Sequence, residues 1–307
     1  MKVFHFRDLD GESRRAYITI GNFDGVHLGH QALIRQLTGE AAAAHARSVL
    51  LTFEPHTATV LGNHRVPILT NLPHRVRLFE QLGLDQVVVI DFTREVARLE
   101  PEVFLSKYMF DQFAVEKMLI GYDFAFGRDR SGTSDVLQEL SREHGFGFEV
   151  FGAVSMDGIT VSSSNIRRAL QAGDFARAES LLGRPYSVLE PVREGRRQGR
   201  TIGFPTVNLV PAEPLPLAFG VYVARVKRHG RTYGGVANYG VRPTVGAEKP
   251  LLETFLFDFA DEIYGEELEV TLLHKIRDER KFESFDALKA QIAKDSETAR
   301  AYLAEHA

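Results

Sequence analysis

The stretch Ile18–His30, ITIGNFDGVHLGH, constrains this chain more than any other. An apolar strand ending at Ile20 runs into Gly21, Asn22 and Gly25, and a helical pattern begins near His27 and continues through an alanine-rich run to about Ala46. A strand, a glycine turn and a helix in that order put orphan N–H groups and the positive end of the helix dipole over the turn, where an anionic phosphate is stabilised. His27 and His30 are three residues apart on one face of the first helical turn, so both are expected to address the same phosphate. Asp24, His27 and His30 could equally form part of a metal site, and spacing alone leaves that alternative open.

With 307 residues, 44% hydrophobic and 25% charged, the chain can build two domains with separate cores. The absence of cysteine removes disulfides, thiolate metal sites and thiol nucleophiles. A formal net charge of -4 offers no general attraction to nucleic acid or anionic lipid. The N-terminal MKVFHFRDLD lacks the apolar core of a signal peptide, and no apolar run reaches the length of a membrane span. The expectation is a cytoplasmic monomer or weak oligomer acting on small molecules, with neither nucleic acid nor membrane as partner.

Two grammars divide the sequence. Up to Gly152, the runs Tyr17–Ile20, Ser48–Phe53, Gln86–Ile90, Lys117–Gly121 and Phe146–Gly152 read as strands. Between them, Leu28–Ala46, Leu72–Leu82, Pro101–Phe113 and Ser134–His144 have helical periodicity. Buried strands alternating with helices predict a doubly wound parallel α/β sheet, whose ligands lie beyond the carboxyl ends of the strands. After Gly183, six strand-like runs predict a small antiparallel six-stranded barrel: Tyr186–Val192, Phe204–Val210, Gly220–Val226, Thr232–Asn238, Leu252–Asp258 and Leu268–Leu273. A hairpin is expected at Lys227–Gly230, and a C-terminal helix from Ser284 to about Glu305. The expected domains are 1–183 and 184–307.

Further motifs follow: VSSSNIRRAL (Val161–Leu170), REGRRQGRTIGFPTVNL (Arg193–Leu209), NYGVRPT (Asn238–Thr244) and ETFLFDFADEIYG (Glu253–Gly265). The opening motif resembles that of the nucleotidyltransferases with an HxGH signature. Taken in order across nearly the whole chain, the motifs resemble the bacterial bifunctional riboflavin kinase/FMN adenylyltransferases, the FAD synthetases. The resemblance implies that the N-terminal half transfers AMP from ATP to FMN with release of pyrophosphate, and that the C-terminal half phosphorylates riboflavin. Riboflavin, FMN and FAD are then substrates and products, with Mg²⁺ accompanying ATP.

For the adenylyltransferase, the resemblance implies that His27 and His30 bind ATP phosphates within a loop made by Gly21, Asn22, Phe23, Asp24 and Gly29. Ser162, Ser163, Ser164 and Arg167 would form a second phosphate site, with Ser164 where the family usually has threonine. Phe53, Pro55, Asp123 and Phe126 would lie near the flavin. For the kinase there is no Gly-Lys pair and hence no P-loop. Gly195, Arg200 and Gly203 would hold phosphates, Thr206 and Asn208 would supply oxygen to Mg²⁺ and ATP, and Glu253 would accept the proton of the riboflavin 5′-hydroxyl. Arg277 and Phe282 resemble a segment that closes over the flavin. The chain departs from the common pattern at Thr57, where proline is usual, and at Glu190, Glu194, Tyr239 and Phe255. Competing readings are a chain with only one active half, a hydrolase with a metal held by Asp24, His27, His30 and His56, and a non-catalytic flavin-binding regulator.

Overall fold

Apolar runs such as Val49–Leu51 and Val87–Ile90 are buried on both faces, which only a sheet covered on both sides achieves. The computed structural model describes residues 1–9, 15–62, 66–194, 206–241 and 250–306, and the chain divides into two compact units. The first comprises Met1–Val66 and Thr70–Ser162; the second comprises Pro67–Leu69 and Ser163–Ala307.

In the first unit, β1 (Lys2–His5), β2 (Arg15–Ile20), β3 (Arg47–Glu54), β4 (Gln86–Asp91), β5 (Ala114–Gly121) and β6 (Gly147–Phe151) form a parallel sheet of order β1-β4-β3-β2-β5-β6. Helices α1 (Leu28–Ala43), α2 (Thr57–Leu61), α3 (Leu72–Gln81), α4 (Arg94–Ala97), α5 (Pro101–Leu105) and α6 (Ser134–His144) connect the strands. Alternate residues of β3 serve opposite cores. Val49, Leu51 and Phe53 join a cluster with Phe104, Tyr108 and Met109, while Leu50 packs with Leu33, Ile34, Leu37 and Phe79. The sheet is therefore doubly wound, and the strand order reverses between β2 and β5, the position where such sheets bind ligands.

Two details depart from the sequence reading. Strand β1 was not expected, because KVFH is a short, half-exposed edge segment whose signal lies in its pairing with β4. The helix expected over Pro101–Phe113 is α5 followed by a π-turn at Ser106–Phe110, which keeps Tyr108 and Met109 buried together with Phe104 and Leu105. A two-stranded ribbon, β7 (Ser155–Met156) with β8 (Ile159–Thr160), ends this unit.

The second unit opens with α7 (Ser163–Gln171) and α8 (Phe175–Leu182). Six strands follow: β9 (Tyr186–Arg193), β10 (Thr206–Leu209), β11 (Gly220–Arg228), β12 (Arg231–Gly240), β13 (Leu251–Leu256) and β14 (Glu267–Asp278). They close into an antiparallel barrel of order β10-β13-β12-β11-β14-β9, and α9 (Phe285–Glu305), capped by Ser284, packs on its outer face. At the β11–β12 hairpin, Arg228 pairs with Arg231 and both His229 and Gly230 have positive φ, as a two-residue type I′ loop requires. Phe175, Ala178, Leu181 and Leu182 of α8 are buried within this unit, whereas the sequence grammar changes only after Gly183.

Candidate functional site

The loop after β2 is held in an unusual conformation. Phe23, Gly25 and Val26 all have positive φ, and Val26, a β-branched residue, is a rare occupant of that region. Thr70 holds it there: Gly25 N donates to Thr70 Oγ1 and Thr70 N donates to Asp24 Oδ1, each at 2.9 Å. Asp24 is 2% exposed, so its carboxylate is part of the loop's frame.

His27 is the N-cap of α1, and its Nδ1 accepts from the backbone N of His30 at 3.3 Å. An accepting Nδ1 puts the proton on Nε2, so the ring's other nitrogen is a hydrogen-bond donor, as a phosphate oxygen requires. The His27 and His30 rings stack with centroids 3.6 Å apart and 16° between planes. A Cβ at Gly29 would lie 3.3 Å from the His27 ring, which is why glycine stands between the two histidines. Burial first, then His27 and Arg75, push the His30 imidazole well below its usual pKa of 6.5, so it is neutral at pH 7.

Asn22 is fixed on both sides. Its Nδ2 donates to Thr57 Oγ1 at 2.9 Å, and its Oδ1 accepts from Thr57 N at 3.1 Å. Its carbonyl accepts from Arg75 Nη1 at 2.6 Å and from Thr52 Oγ1 at 3.3 Å. Arg75, which the sequence reading missed, is 3% exposed on α3 and also reaches Thr52 Oγ1 at 2.9 Å and Glu54 Oε2 at 2.8 Å. Its signal was available: Leu72, Arg75 and Phe79 share the buried stripe of α3, a charged residue on an apolar face.

The remaining candidates of the first unit separate by exposure. Pro55 and Asp123, just beyond the ends of β3 and β5, are exposed. Phe53 and Phe126 are core residues, 4% and 7% exposed, both packed against Phe104. Gly21 closes β2, its N donating to Leu51 O at 3.1 Å. Ser162 ends the first unit; Ser163 and Ser164 open α7 in the second, where Arg167 Nε donates to Pro67 O at 2.8 Å. His56 Nδ1 accepts from Ala58 N at 3.1 Å, capping α2. Asp24, His27 and His56 thus each serve the backbone, and among the described residues no group of three or more His, Asp or Glu could hold a metal ion. The hydrolase reading therefore lacks its ligand set.

On the barrel, pairing places Asn208 of β10 opposite Glu253 of β13, and Glu253 opposite Asn238 of β12. Residues directly opposite in an antiparallel sheet share a face, so the three form one cross-strand polar row. Thr206 is two residues from Asn208 on the same face. The sequence reading assigned nothing to Asn238, although it opens the NYG motif. Arg277 is engaged by the buried carboxylate of Asp295, with Nη2 to Oδ2 at 2.7 Å and Nε to both oxygens at 3.1 Å, and its Cζ lies 5.7 Å from the Phe282 ring centroid. Gly195, Arg200 and Gly203 lie outside the described residues.

A doubly wound sheet with an HxGH helix entry, followed by a closed six-stranded barrel with a Thr-x-Asn strand beside a glutamate, defines a two-unit ATP-dependent transferase. The FAD synthetase family matches residues 10–165 and the riboflavin kinase family matches residues 182–303. The chain is 41% identical over 287 residues to the bifunctional riboflavin kinase/FMN adenylyltransferase of Haemophilus influenzae, covering 93% of each. It is 38% identical over 302 residues to that of Pseudomonas fluorescens, covering 98% of this chain and 97% of the relative. A crystal structure from Streptococcus pneumoniae, named for a macrolide-efflux protein, superposes with a TM-score of 0.81 at 30% identity and covers 98% of this chain and 99% of that one. The chain belongs to the bifunctional riboflavin kinase/FMN adenylyltransferase family, making FMN from riboflavin and FAD from FMN. No helix among the described residues is long and apolar enough to cross a membrane.

Proposed function

We propose that adenylyl transfer takes place at the Gly21–His30 loop and phosphoryl transfer at the Thr206–Asn208–Glu253 face. The observation that carries this reading is the stacked His27–His30 pair at the N-terminus of α1, with His27 in the tautomer that donates from Nε2. An oxygen of the FMN phosphate attacks the α-phosphorus of ATP, the bond to the bridging oxygen of the β-phosphate breaks, and pyrophosphate leaves. No protein nucleophile is needed, so the chain supplies position and charge stabilisation. His27 and His30 bind the phosphates, with Gly29 and Gly21 admitting close approach and Asn22, Phe23 and Asp24 keeping the loop's shape. Ser162, Ser163, Ser164 and Arg167 are proposed as the second phosphate-binding group. Pro55 and Asp123 are proposed to border the flavin, with Phe53 and Phe126 supporting them from the core.

On the barrel, Glu253 takes the proton of the riboflavin 5′-hydroxyl as that oxygen bonds the γ-phosphorus and ADP leaves. Thr206 and Asn208 offer hard oxygen donors, and a Mg²⁺ site of few protein ligands, completed by nucleotide phosphates, fits them. When bound, Mg²⁺ would neutralise charge on the transferring phosphate. Asn238, in the row with Glu253, is placed to contact the same substrate, and Arg277 and Phe282 to border its flavin ring. Gly195, Arg200 and Gly203 keep a proposed phosphate role from the family resemblance alone. Division of labour at 183/184 and residence in the cytoplasm complete the reading.

Incubation with riboflavin, ATP and Mg²⁺ followed by chromatography of the flavins tests it. FMN and FAD together are expected. FMN alone would restrict activity to the barrel, and neither product would leave a flavin-binding regulator.

A further inference from the structure

A guanidinium that is almost wholly buried beside a phosphate-binding loop calls for explanation, since burying a charge costs free energy unless it is paired and hydrogen-bonded. Arg75 meets the requirement through three residues on two segments. Nη1 donates to the Asn22 carbonyl in the loop and to Thr52 Oγ1 in β3, and Nη2 donates to Glu54 Oε2 where β3 ends. Its Nε is buried with no hydrogen-bond partner among the described residues, so the fork serves the loop without being fully satisfied. Core packing alone would favour an apolar side chain here, as at Phe79 one turn later. We propose that Arg75 is a positioning residue for adenylyl transfer: its fork fixes Asn22 against the end of β3.

The hydrogen bonds explain the positioning. The Asn22 carbonyl takes one bond from Arg75 while the Asn22 amide is held by Thr57, so backbone and side chain of the residue after Gly21 are pinned independently. The titratable and charged groups acting on His30 are His27 from its own helix entry and Arg75 from α3, with Asp24 on the loop and Glu54 on β3 acting on Arg75. Burial lowers the Arg75 pKa from its usual value, and Glu54 and Asp24 oppose that shift. Arg75 in turn is one of the causes that keep His30 neutral.

This inference rests on the assignment of adenylyl transfer to the Gly21–His30 loop, and the full-length wild type making FAD from FMN and ATP is the separate check of that assignment. Arg75→Lys keeps the charge and loses the fork; Arg75→Met loses both. FAD formation is measured against ATP concentration and pH, with a denaturant melt of the full chain as the fold control for the first unit and FMN formation from riboflavin as the control for the preparation. In Arg75→Lys, kcat for FAD formation is expected to fall roughly 10-fold or more, as loss of orientation costs, while the pH at which kcat/KM inflects stays in place. In Arg75→Met the rate falls further, and the inflection moves to higher pH as one of the causes that lower the His30 pKa is removed, burial and His27 remaining. Wild-type kcat in Arg75→Lys overturns the proposal. A loss in Arg75→Met with an unmoved inflection overturns the electrostatic part. Should Arg75→Met fail to fold, Arg75→Lys still decides whether the fork positions the loop, and titration of the His30 ring in Thr52→Val, which keeps the charge, should match wild type.

Discussion

Thr57 grips the side chain of Asn22 with both its backbone N–H and its hydroxyl, so the residue that departs from the common proline is the one that clasps the Gly21–His30 loop. Proline could supply neither bond. Thr57→Val keeps the N–H and loses the hydroxyl, leaving Asn22 Nδ2 without that acceptor. It should lower the stability of the first unit by about 1 kcal/mol and slow FAD formation, while Thr57→Ser should behave as wild type. Denaturant melts and the FAD assay measure both; equal behaviour of the two variants would remove the clasp from the account.

The two activities should come apart by single substitutions. His30→Ala removes a group proposed to bind phosphate and is expected to slow FAD formation about 10²–10³-fold, as loss of a preorganised donor does, with FMN formation intact. Glu253→Gln should do the reverse, slowing FMN formation by roughly 10²-fold or more and leaving FAD synthesis from supplied FMN unchanged. Flavin chromatography reads both. A Glu253→Gln protein that makes FMN at the normal rate would make Glu253 structural.

Acid should weaken the first unit through His30. Its folded pKa is depressed, so between that value and the ordinary 6.5 the unfolded chain binds a proton that the folded chain refuses. The stability is therefore complete above about pH 6.5 and declines as pH falls through the window beneath it. Replacing His30 with Gln should flatten this part of the pH-stability curve, as denaturant titrations at several pH values would record. An unchanged slope would mean that His30 is protonated in the folded protein.

Chelation should abolish both activities and added Mg²⁺ restore them, because Thr206 and Asn208 present oxygen, and the described residues hold no His, Asp or Glu cluster suited to a tighter metal. Recovery with Zn²⁺ and never with Mg²⁺ would contradict the oxygen-donor site.

A chain beginning at Ser163 should fold and phosphorylate riboflavin, and one beginning at Arg184 should melt lower. The shorter chain lacks α8, whose Phe175 meets Tyr222 of the barrel edge-on at 5.7 Å and whose Leu181 and Leu182 are buried. Losing three such side chains costs on the order of several kcal/mol at 1.5–3 kcal/mol each. Circular dichroism melts with a riboflavin assay compare the fragments. Equal melting temperatures would return α8 to the role of a linker.

The sheet and barrel were legible because their signals are local: β3 and β4 carry the apolar runs Val49–Leu51 and Val87–Ile90, and His229-Gly230 is a turn dipeptide between two strands. The strand, turn and helix of Gly21–His30 were legible for the same reason, their strand, glycines and histidines being contiguous. What escaped notice is tertiary. Arg75 differs from exposed neighbours only in the face of α3 that it occupies, and Asn238 joins Glu253 only through strand register. The bond between Asp24 and Thr70 spans a segment that no periodicity links.

Closure of the barrel has a consequence for how the chain fails. Among the described residues, every barrel strand has a neighbour on both sides, whereas the sheet stops at β1 and β6, each with one side unpaired. Val3 on β1 is 45% exposed and Val150 on β6 is 40% exposed, so both rims combine vacant backbone groups with apolar side chains. Templated growth between copies of this chain, when it occurs under heat or overexpression, therefore starts at the rims of the adenylyltransferase sheet, and a lysine at position 3 or 150 is the place to block it.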